Sequence, residues 1–204
     1  MTLIQAHLPV CQFAERHRLL VTAHPADLLD AVTLPGTIDD AWVKRLISWR
    51  ELPGRFLSRF GSKNALGRRA AFGIGDFTLL GREDDLEIAF GLAGRFWRFD
   101  YGLVPLRGPE EFDAMSTAGV PKLVLNFTVE ASADGRTWLC TETRVYCNDR
   151  SSYFRFLPYW CLIRPVSGLM RRRLLARIRN AAAKTAPSGH NALNKANPRP
   201  FTQC

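Results

Sequence analysis

A run of 36 residues from Asp149 to Lys184 limits what this chain can fold into more than any other stretch. It follows a strand-like segment, and Asn148 or Asp149 can accept hydrogen bonds from the first free N–H groups of a helix. Apolar residues recur at helical spacing from Met170 to Ala181. A helix of this length spans roughly 50 Å, more than the width of a 200-residue domain. We therefore expect a long helix that bends or overhangs the rest of the fold.

Three residues disturb this helical pattern. Pro158 and Pro165 each remove a backbone donor and push the preceding residue out of helical geometry. We expect a kink or a break near each of them. Arg171 interrupts the apolar stripe that the second half of the run otherwise presents.

The segments before this run predict an antiparallel sheet. Residues 123–131 and 136–147 alternate in polarity around Ser132–Gly135, a combination typical of a β-hairpin. The same reasoning predicts the other elements: a strand (13–22), two short helices (25–32 and 37–52), three strands (71–81, 86–92 and 95–104) and a short helix (109–115). The fold class is therefore α+β, with a curved antiparallel sheet covered by the long C-terminal helix.

Composition indicates one ordinary globular domain, with 47% hydrophobic and 23% charged residues. We place it at residues 13–184, between an N-terminal extension (1–12) and a flexible tail (185–204). No apolar run is long enough to cross a bilayer, and the N-terminus lacks the pattern of a signal peptide, so we expect a cytoplasmic protein. Five cysteines without a CxxC pair predict reduced thiols and no disulfide.

Charge is distributed unevenly along the chain. Residues 1–149 hold 17 basic and 19 acidic residues, for a net charge of −2, whereas residues 150–204 hold 11 basic residues and no acidic one. Such asymmetry is compatible with an anionic partner or with a solvated helix face. No nucleic-acid recognition motif accompanies the charge, so we expect no nucleic acid and at most weak peripheral contact with an anionic membrane.

No motif predicts a metal or another cofactor. The four histidines and five cysteines do not stand at the intervals that ligate a metal. The glycines near Gly73 and Gly61 fail the spacing of dinucleotide and phosphate loops. We therefore predict no cofactor and no metal site.

Glu142 and Arg144 are the most informative polar pair, because they lie two residues apart on one strand and share a face. Facing inward, they would orient a ligand within an apolar pocket. Facing outward, they would form a surface pair of little energetic consequence. The pattern leaves both orientations open.

Apolar and aromatic residues are available to line a cavity beneath the helix. On the strand from 123 to 131, Leu125 and Phe127 belong to the alternating set that we expect to face the interior. The other candidates for lining the same space are Phe90, Trp97, Phe154 and Trp160. The alternative is that these side chains simply pack the core.

With these elements in this order, the chain resembles the START-like superfamily, which includes the birch-pollen-allergen fold and polyketide cyclase-like proteins. The resemblance is carried by LLVTAHPADLLDAV (Leu19 to Val32) and by the element order over residues 13–184. GLAGRFWRF, TETRV and FRFLPYWCLIRP resemble segments of an uncharacterised bacterial branch. The resemblance implies a helix-grip fold, with an internal cavity for lipids, sterols or aromatic polyketides.

Two functions that use such a cavity compete at this stage, and a third possibility is a nucleic-acid or membrane-surface module that uses the basic C-terminal region. The first is binding or transport of a hydrophobic small molecule, lipid-like or polyketide-like, under the C-terminal helix. The second is a cyclase or dehydratase type of enzyme, in which Glu142 acts as general acid or base and Arg144 polarises a carbonyl. The position of this pair relative to the helix distinguishes them.

Overall fold

The computed structural model describes residues 1–34, 74–98 and 100–185. The helices are α1 (Leu3–His7), α2 (Pro25–Thr33), α3 (Pro109–Ala114) and α4 (Arg150–Thr185), with a 3-10 turn at Ile74–Asp76. The strands are β1 (Phe13–Val21), β2 (Thr78–Glu83), β3 (Glu87–Gly94), β4 (Leu103–Val104), β5 (Lys122–Ala131) and β6 (Thr137–Tyr146). The predicted α+β class is confirmed.

The six strands form one open antiparallel sheet in the order β1-β6-β5-β3-β2, with β4 paired to the end of β3. The predicted hairpin is confirmed, because β5 and β6 pair along their whole length from Lys122↔Tyr146 to Ala131↔Thr137. Gly135 in the connecting turn has a φ of +78°, a conformation that glycine adopts without steric cost. The register of these strands decides which side chains share a face.

Helices cover both faces of the sheet. On the face that we call inner, α2 and α4 pack over β1, β6 and β5. The core there combines sheet residues such as Phe127 and Leu139 with Leu175 and Ile178 of α4. On the outer face, α1 and α3 cover a smaller apolar group that includes Ile4, Leu80, Phe112 and Val124.

The long helix runs without interruption from Arg150 to Thr185, so of the kink or break expected near Pro158 and Pro165, the break is wrong. Both prolines are exposed, and the carbonyl groups that lose a helical partner there can be solvated. Of the two N-cap candidates, Asn148 and Asp149, the structure selects Asp149, whose carboxylate accepts a hydrogen bond from the N–H of Ser152 at 2.8 Å. Hydrogen bonds from the N–H groups of Ser152 and Gly119 lower the pKa of Asp149.

Several element boundaries differ from the sequence prediction. Residues 95–98 form a turn rather than a strand, and only Leu103–Val104 of the predicted 95–104 strand pairs with the sheet. The strand predicted at 71–81 begins at Thr78, after the 3-10 turn. The predicted helix at 37–52 and residues 186–204 of the predicted tail lie outside the described residues.

Residues 1–12 do more than extend the domain. They contain α1, whose Ile4 and the following Leu8 are buried against the outer face. The carboxylate of Glu87 accepts hydrogen bonds from the N–H groups of Leu3 at 2.8 Å and Ile4 at 3.2 Å. A buried carboxylate on β3 therefore holds the N-terminus of α1 against the sheet.

The cysteines lie as their spacing indicates. Cys140 contacts the outer cleft described below, whereas Cys147 packs with Phe13 and Phe156 in an inner cluster, so the two thiols occupy opposite faces. Burial raises the pKa of both thiols, that of Cys147 to about 11. None of the described helices is both long enough and apolar enough to cross a bilayer.

Candidate functional site

A polar layer interrupts the apolar inner face on strand β1. Alternate residues of β1 point toward α4, and Phe13, Leu19 and Val21 of this set belong to apolar clusters. The two positions between them are Glu15 and His17. The strand therefore places a carboxylate and an imidazole in the middle of an otherwise apolar row.

Glu15 and His17 form a buried pair. The Nε2 atom of His17 lies 2.8 Å from Oε1 of Glu15. Their side chains are 16% and 8% exposed, respectively, so little water reaches the pair. A buried carboxylate needs hydrogen-bond partners for both of its oxygens, so the surroundings of the second oxygen, Oε2, matter for the stability of the pair.

Arg171 of α4 contacts this pair from above. Its guanidinium donates hydrogen bonds to the hydroxyls of Thr143 on β6 and of Ser167, the latter at 3.2 Å. Its Nε lies 4.0 Å from Oε2 of Glu15, an ion-pair distance that is too long for a hydrogen bond. Burial lowers the pKa of Arg171, and the charge of Glu15 acts in the opposite direction. Arginine keeps its proton even so, and Arg171 supplies a positive charge to the layer.

Some hydrogen-bonding groups of this polar layer have no partner among the described residues. Oε2 of Glu15 is buried and has no hydrogen-bond partner among the residues that the structure describes. Of the five N–H bonds of Arg171, two are used by Ser167 and Thr143, which leaves three without a partner in the described part of the chain. The space between Glu15 and Arg171 therefore combines an unused acceptor with unused donors. A group that donates one hydrogen bond and accepts another would satisfy both.

Gly168 allows α4 to approach the layer closely. A Cβ atom at this position would lie 3.1 Å from Oε1 of Glu15 and 3.4 Å from Cε1 of His17. Glycine in a helix interior costs about 1 kcal/mol relative to alanine, so its position directly above the pair is informative. The helix backbone itself forms the roof over Glu15 and His17.

One row of paired residues crosses the inner face from this layer to the opposite edge of the sheet. The strand register places in it Glu15, Thr143, Leu125, Phe90 and Leu79. We call this set the crossing row. It is polar at the Glu15 end and apolar from Leu125 onward. Thr143 and Phe90 are buried, Leu125 is partly exposed, and Leu79 at the sheet edge is 52% exposed.

Leu125 is the unusual member of the crossing row. It lies on the central strand β5 and faces the core, yet it remains partly exposed, as does Leu123 two residues earlier. Inner side chains of a central strand are normally buried on all sides. The backbone of α4 approaches β1 and α2 most closely, so it lies to one side of these two leucines. Part of the apolar floor of the sheet is therefore accessible.

A cleft of about 440 Å³ opens at the edge of the sheet near β4. Its lining includes Phe77 and Leu103, which also pack against the inner apolar clusters. Ligand pockets in proteins generally measure about 300–1,000 Å³. The cleft thus provides an opening of suitable size beside the inner face.

The predicted lining residues fall into three groups. Phe127 and Phe90 are buried in the inner core with Leu125 packed beside them. Trp97 and Trp160 are partly buried in the second inner cluster, around Phe156. Phe154 is 63% exposed on the solvent side of α4, so its predicted place in the cavity is wrong. Helical geometry points it away from the sheet, whereas Phe156 and Trp160 point inward.

Glu142 and Arg144 lie on the outer face, so of the two orientations that the sequence leaves open, the one under the C-terminal helix, with its role in ligand binding there, is excluded. Thr143, which lies between them on β6, contacts Arg171 of α4 and therefore faces inward. Because side chains alternate along a strand, Glu142 and Arg144 point to the opposite face. The Nε atom of Arg144 donates a hydrogen bond to Oε1 of Glu142 at 2.7 Å. Arg144 also donates to the carbonyl oxygen of Leu8 at 3.4 Å. The pair lines a separate outer cleft of about 250 Å³ beside α1.

Sequence reasoning missed Glu15, His17 and Arg171. The available signal was two polar residues in the inward phase of β1, together with the arginine that interrupts the apolar stripe of α4. Among the residues that the structure describes, no three His, Cys, Asp or Glu side chains come close enough to hold a metal ion.

Comparison of the chain with protein-family models, with curated proteins and with solved structures finds no match. The arrangement of the site itself is therefore the basis for a functional proposal.

Proposed function

We propose that this chain binds or transports a mostly apolar small molecule that carries a hydroxyl group, held between the inner face of the sheet and α4. The observation that carries the proposal is the crossing row. It joins the accessible apolar surface of Leu125 to the unsatisfied polar layer at Glu15 and Arg171.

The apolar part of the ligand follows from the floor of the site. Leu125 offers only hydrocarbon surface, its neighbour Phe90 is buried in the core, and Leu79 exposes further hydrocarbon at the sheet edge. Covering such surface is favourable by roughly 25 cal/mol for each Å² removed from water. Five adjacent strands span about 20 Å, which limits the length of a molecule that lies along the row.

We infer the hydroxyl group of the ligand from the hydrogen-bonding groups of Glu15 and Arg171 that have no partner among the described residues. A hydroxyl donates to Oε2 of Glu15 and accepts from an N–H of Arg171, which leaves neither group unpaired. A carboxylate would be repelled by Glu15, and a hydrocarbon would leave the buried oxygen without a donor. Long-chain alcohols, sterols and phenols share the required chemistry.

The finer description of the fold belongs to the same proposal. A helix-grip arrangement of the START-like type agrees with the antiparallel sheet, the three-residue link between β1 and the Pro25 start of α2, and the C-terminal helix across the sheet. Cytoplasmic residence is part of this proposal.

A second candidate function is catalysis at the same layer. A histidine held 2.8 Å from a buried carboxylate, close to an arginine, resembles an oriented general base with an electrophilic partner. The enzyme hypothesis as first formulated used Glu142 and Arg144, which lie on the opposite face. If His17 acts as the general base instead, replacing His17 with Gln would abolish turnover of the ligand. The Kd for the ligand would change by no more than about threefold, which corresponds to a small change in binding free energy.

Thermal shift with matched ligands tests the binding proposal. At a ligand concentration one hundred times Kd, we expect dodecanol to raise the Tm by about 5–10 °C. Dodecane and dodecanoate should shift it much less, because neither satisfies both Glu15 and Arg171. Equal shifts for all three compounds would contradict the assigned hydroxyl contact.

A blocking variant locates the binding site. Leu125→Trp should fill the accessible surface and abolish the dodecanol shift, because the larger ring occupies the ligand's place. Leu86→Trp, at a 57% exposed turn position, is the matched control and should leave the shift intact. A full shift in Leu125→Trp would place the ligand elsewhere.

A further inference from the structure

The solvent side of α4 carries a stripe of apolar residues that the protein leaves uncovered. Phe154, Leu162 and Leu169 are 63%, 78% and 49% exposed. Their spacings of eight and seven residues place them on one side of a helix, and exposed Pro158, Cys161 and Pro165 fill the positions between them. We call these six residues the outer stripe. A single exposed leucine is ordinary, but a continuous stripe marks an interaction surface.

Positive charge borders the outer stripe. Arg150, Arg155, Arg164 and Arg172 are all exposed along the same length of α4. No aspartate or glutamate occurs anywhere between residues 150 and 204, so no acidic side chain of this region offsets them. Apolar side chains bordered by arginines favour a surface that is itself apolar beneath and anionic on top.

The two prolines limit how deeply this face can enter an apolar medium. Pro158 and Pro165 cannot donate to the carbonyls of Phe154 and Cys161, four residues earlier. Both carbonyls then need water or another donor, which the hydrocarbon core of a bilayer lacks. The headgroup region supplies such donors. The stripe is therefore suited to shallow insertion, with the helix axis parallel to the surface.

We propose that the outer stripe of α4 docks this protein onto anionic lipid membranes, with Phe154, Leu162 and Leu169 inserted at the headgroup level and the flanking arginines contacting lipid phosphates. This interaction is independent of the ligand proposed above, because the outer stripe and the crossing row lie on opposite sides of α4. Docking would place a ligand-binding protein against a source of apolar molecules.

Vesicle flotation with purified full-length protein, without added ligand, tests the docking. We expect binding to vesicles of phosphatidylcholine with phosphatidylserine, weak binding to phosphatidylcholine alone, and a decrease as salt rises. The triple replacement Phe154→Ser, Leu162→Ser and Leu169→Ser should reduce binding at least about tenfold, because each inserted side chain contributes apolar burial. The matched control replaces Val10 and Leu86, which are exposed on other parts of the surface, with Ser. It should bind like the natural protein.

The charge contribution is tested separately. Arg155→Gln with Arg164→Gln should reduce binding roughly tenfold or more, since each basic residue near an anionic surface contributes about fivefold. Failure of the natural protein to bind phosphatidylserine vesicles would overturn the proposal. So would binding that is unaffected by the serine replacements, or tighter binding to duplex DNA that persists in them, because both outcomes indicate a purely electrostatic partner. None of these outcomes depends on the dodecanol experiment.

Discussion

Replacing Arg171 with methionine is expected to lower the free energy of unfolding by about 3–5 kcal/mol, because it leaves the buried carboxylate of Glu15 without a positive charge. The side chains of Arg171 and Glu15 are 13% and 8% exposed, so solvent screens their interaction weakly. Methionine occupies a similar volume, which keeps the packing loss small. Urea denaturation of the purified variant measures the change.

Two further variants distinguish charge from packing. Arg172→Met alters the neighbouring, exposed arginine and should change stability by no more than about 0.5 kcal/mol. Adding Glu15→Gln to Arg171→Met should recover much of the lost stability, because the uncompensated charge is removed. If the double variant is as unstable as Arg171→Met, the loss comes from packing and the ionic account of the layer is wrong.

Replacing Phe127 with alanine should cost about 3–5 kcal/mol, a large fraction of the stability of a typical domain. Phe127 is fully buried at the centre of the inner core, where its ring meets the edge of Phe90 with centroids 6.4 Å apart. Removing it leaves a cavity between the sheet and the helices α2 and α4. Urea denaturation again reports the loss, and Phe127→Leu should show a smaller one.

Phe154→Ala is the matched control for this substitution. The same side chain is removed from an exposed position on α4, and the expected change is within about 0.5 kcal/mol. Comparable losses in the two variants would mean that the inner face is not the main core of the protein.

The elements that the sequence predicted well are those with a strong local signal. The β5–β6 hairpin combines alternating polarity with a glycine turn, and Pro25 starts α2 after a three-residue link from the end of β1. The length of α4 also followed from its N-cap residue and the helical spacing of its apolar side chains. Its continuity did not, because Pro158 and Pro165 lie at exposed positions, where water can satisfy the carbonyls that lose a helical partner.

The segment 95–104 was predicted to be a strand but is not one over most of its described length. RFWRFDYGLV is rich in aromatic residues and matches a strand pattern, but its described part forms turns, with Tyr101 and Gly102 at φ values of +57° and +46°. Its Phe96 and Trp97 instead pack against Phe156 and the residues around it. Tertiary packing outweighed local β-propensity here.

The candidate site was only partly predictable for a geometric reason. Alternation along β6 separates Thr143 from Glu142 and Arg144, but it does not tell which set faces the helix. That depends on the pairing of β6 with β1, which joins Glu15 to Thr143. The polar layer itself is assembled from three distant segments, so no local pattern contains it.

Methyl NMR of leucine-labelled protein during a dodecanol titration shows whether the ligand lies between the sheet and α4. We expect the methyl signals of Leu125, and to a lesser degree Leu123, to shift on binding, whereas those of the exposed Leu86 and Leu162 do not. Arg171→Met with Glu15→Gln should weaken these shifts by removing the hydroxyl contact. Shifts confined to Leu162 and Leu169, or an unchanged Leu125 at saturating dodecanol, would contradict a ligand site between the sheet and α4.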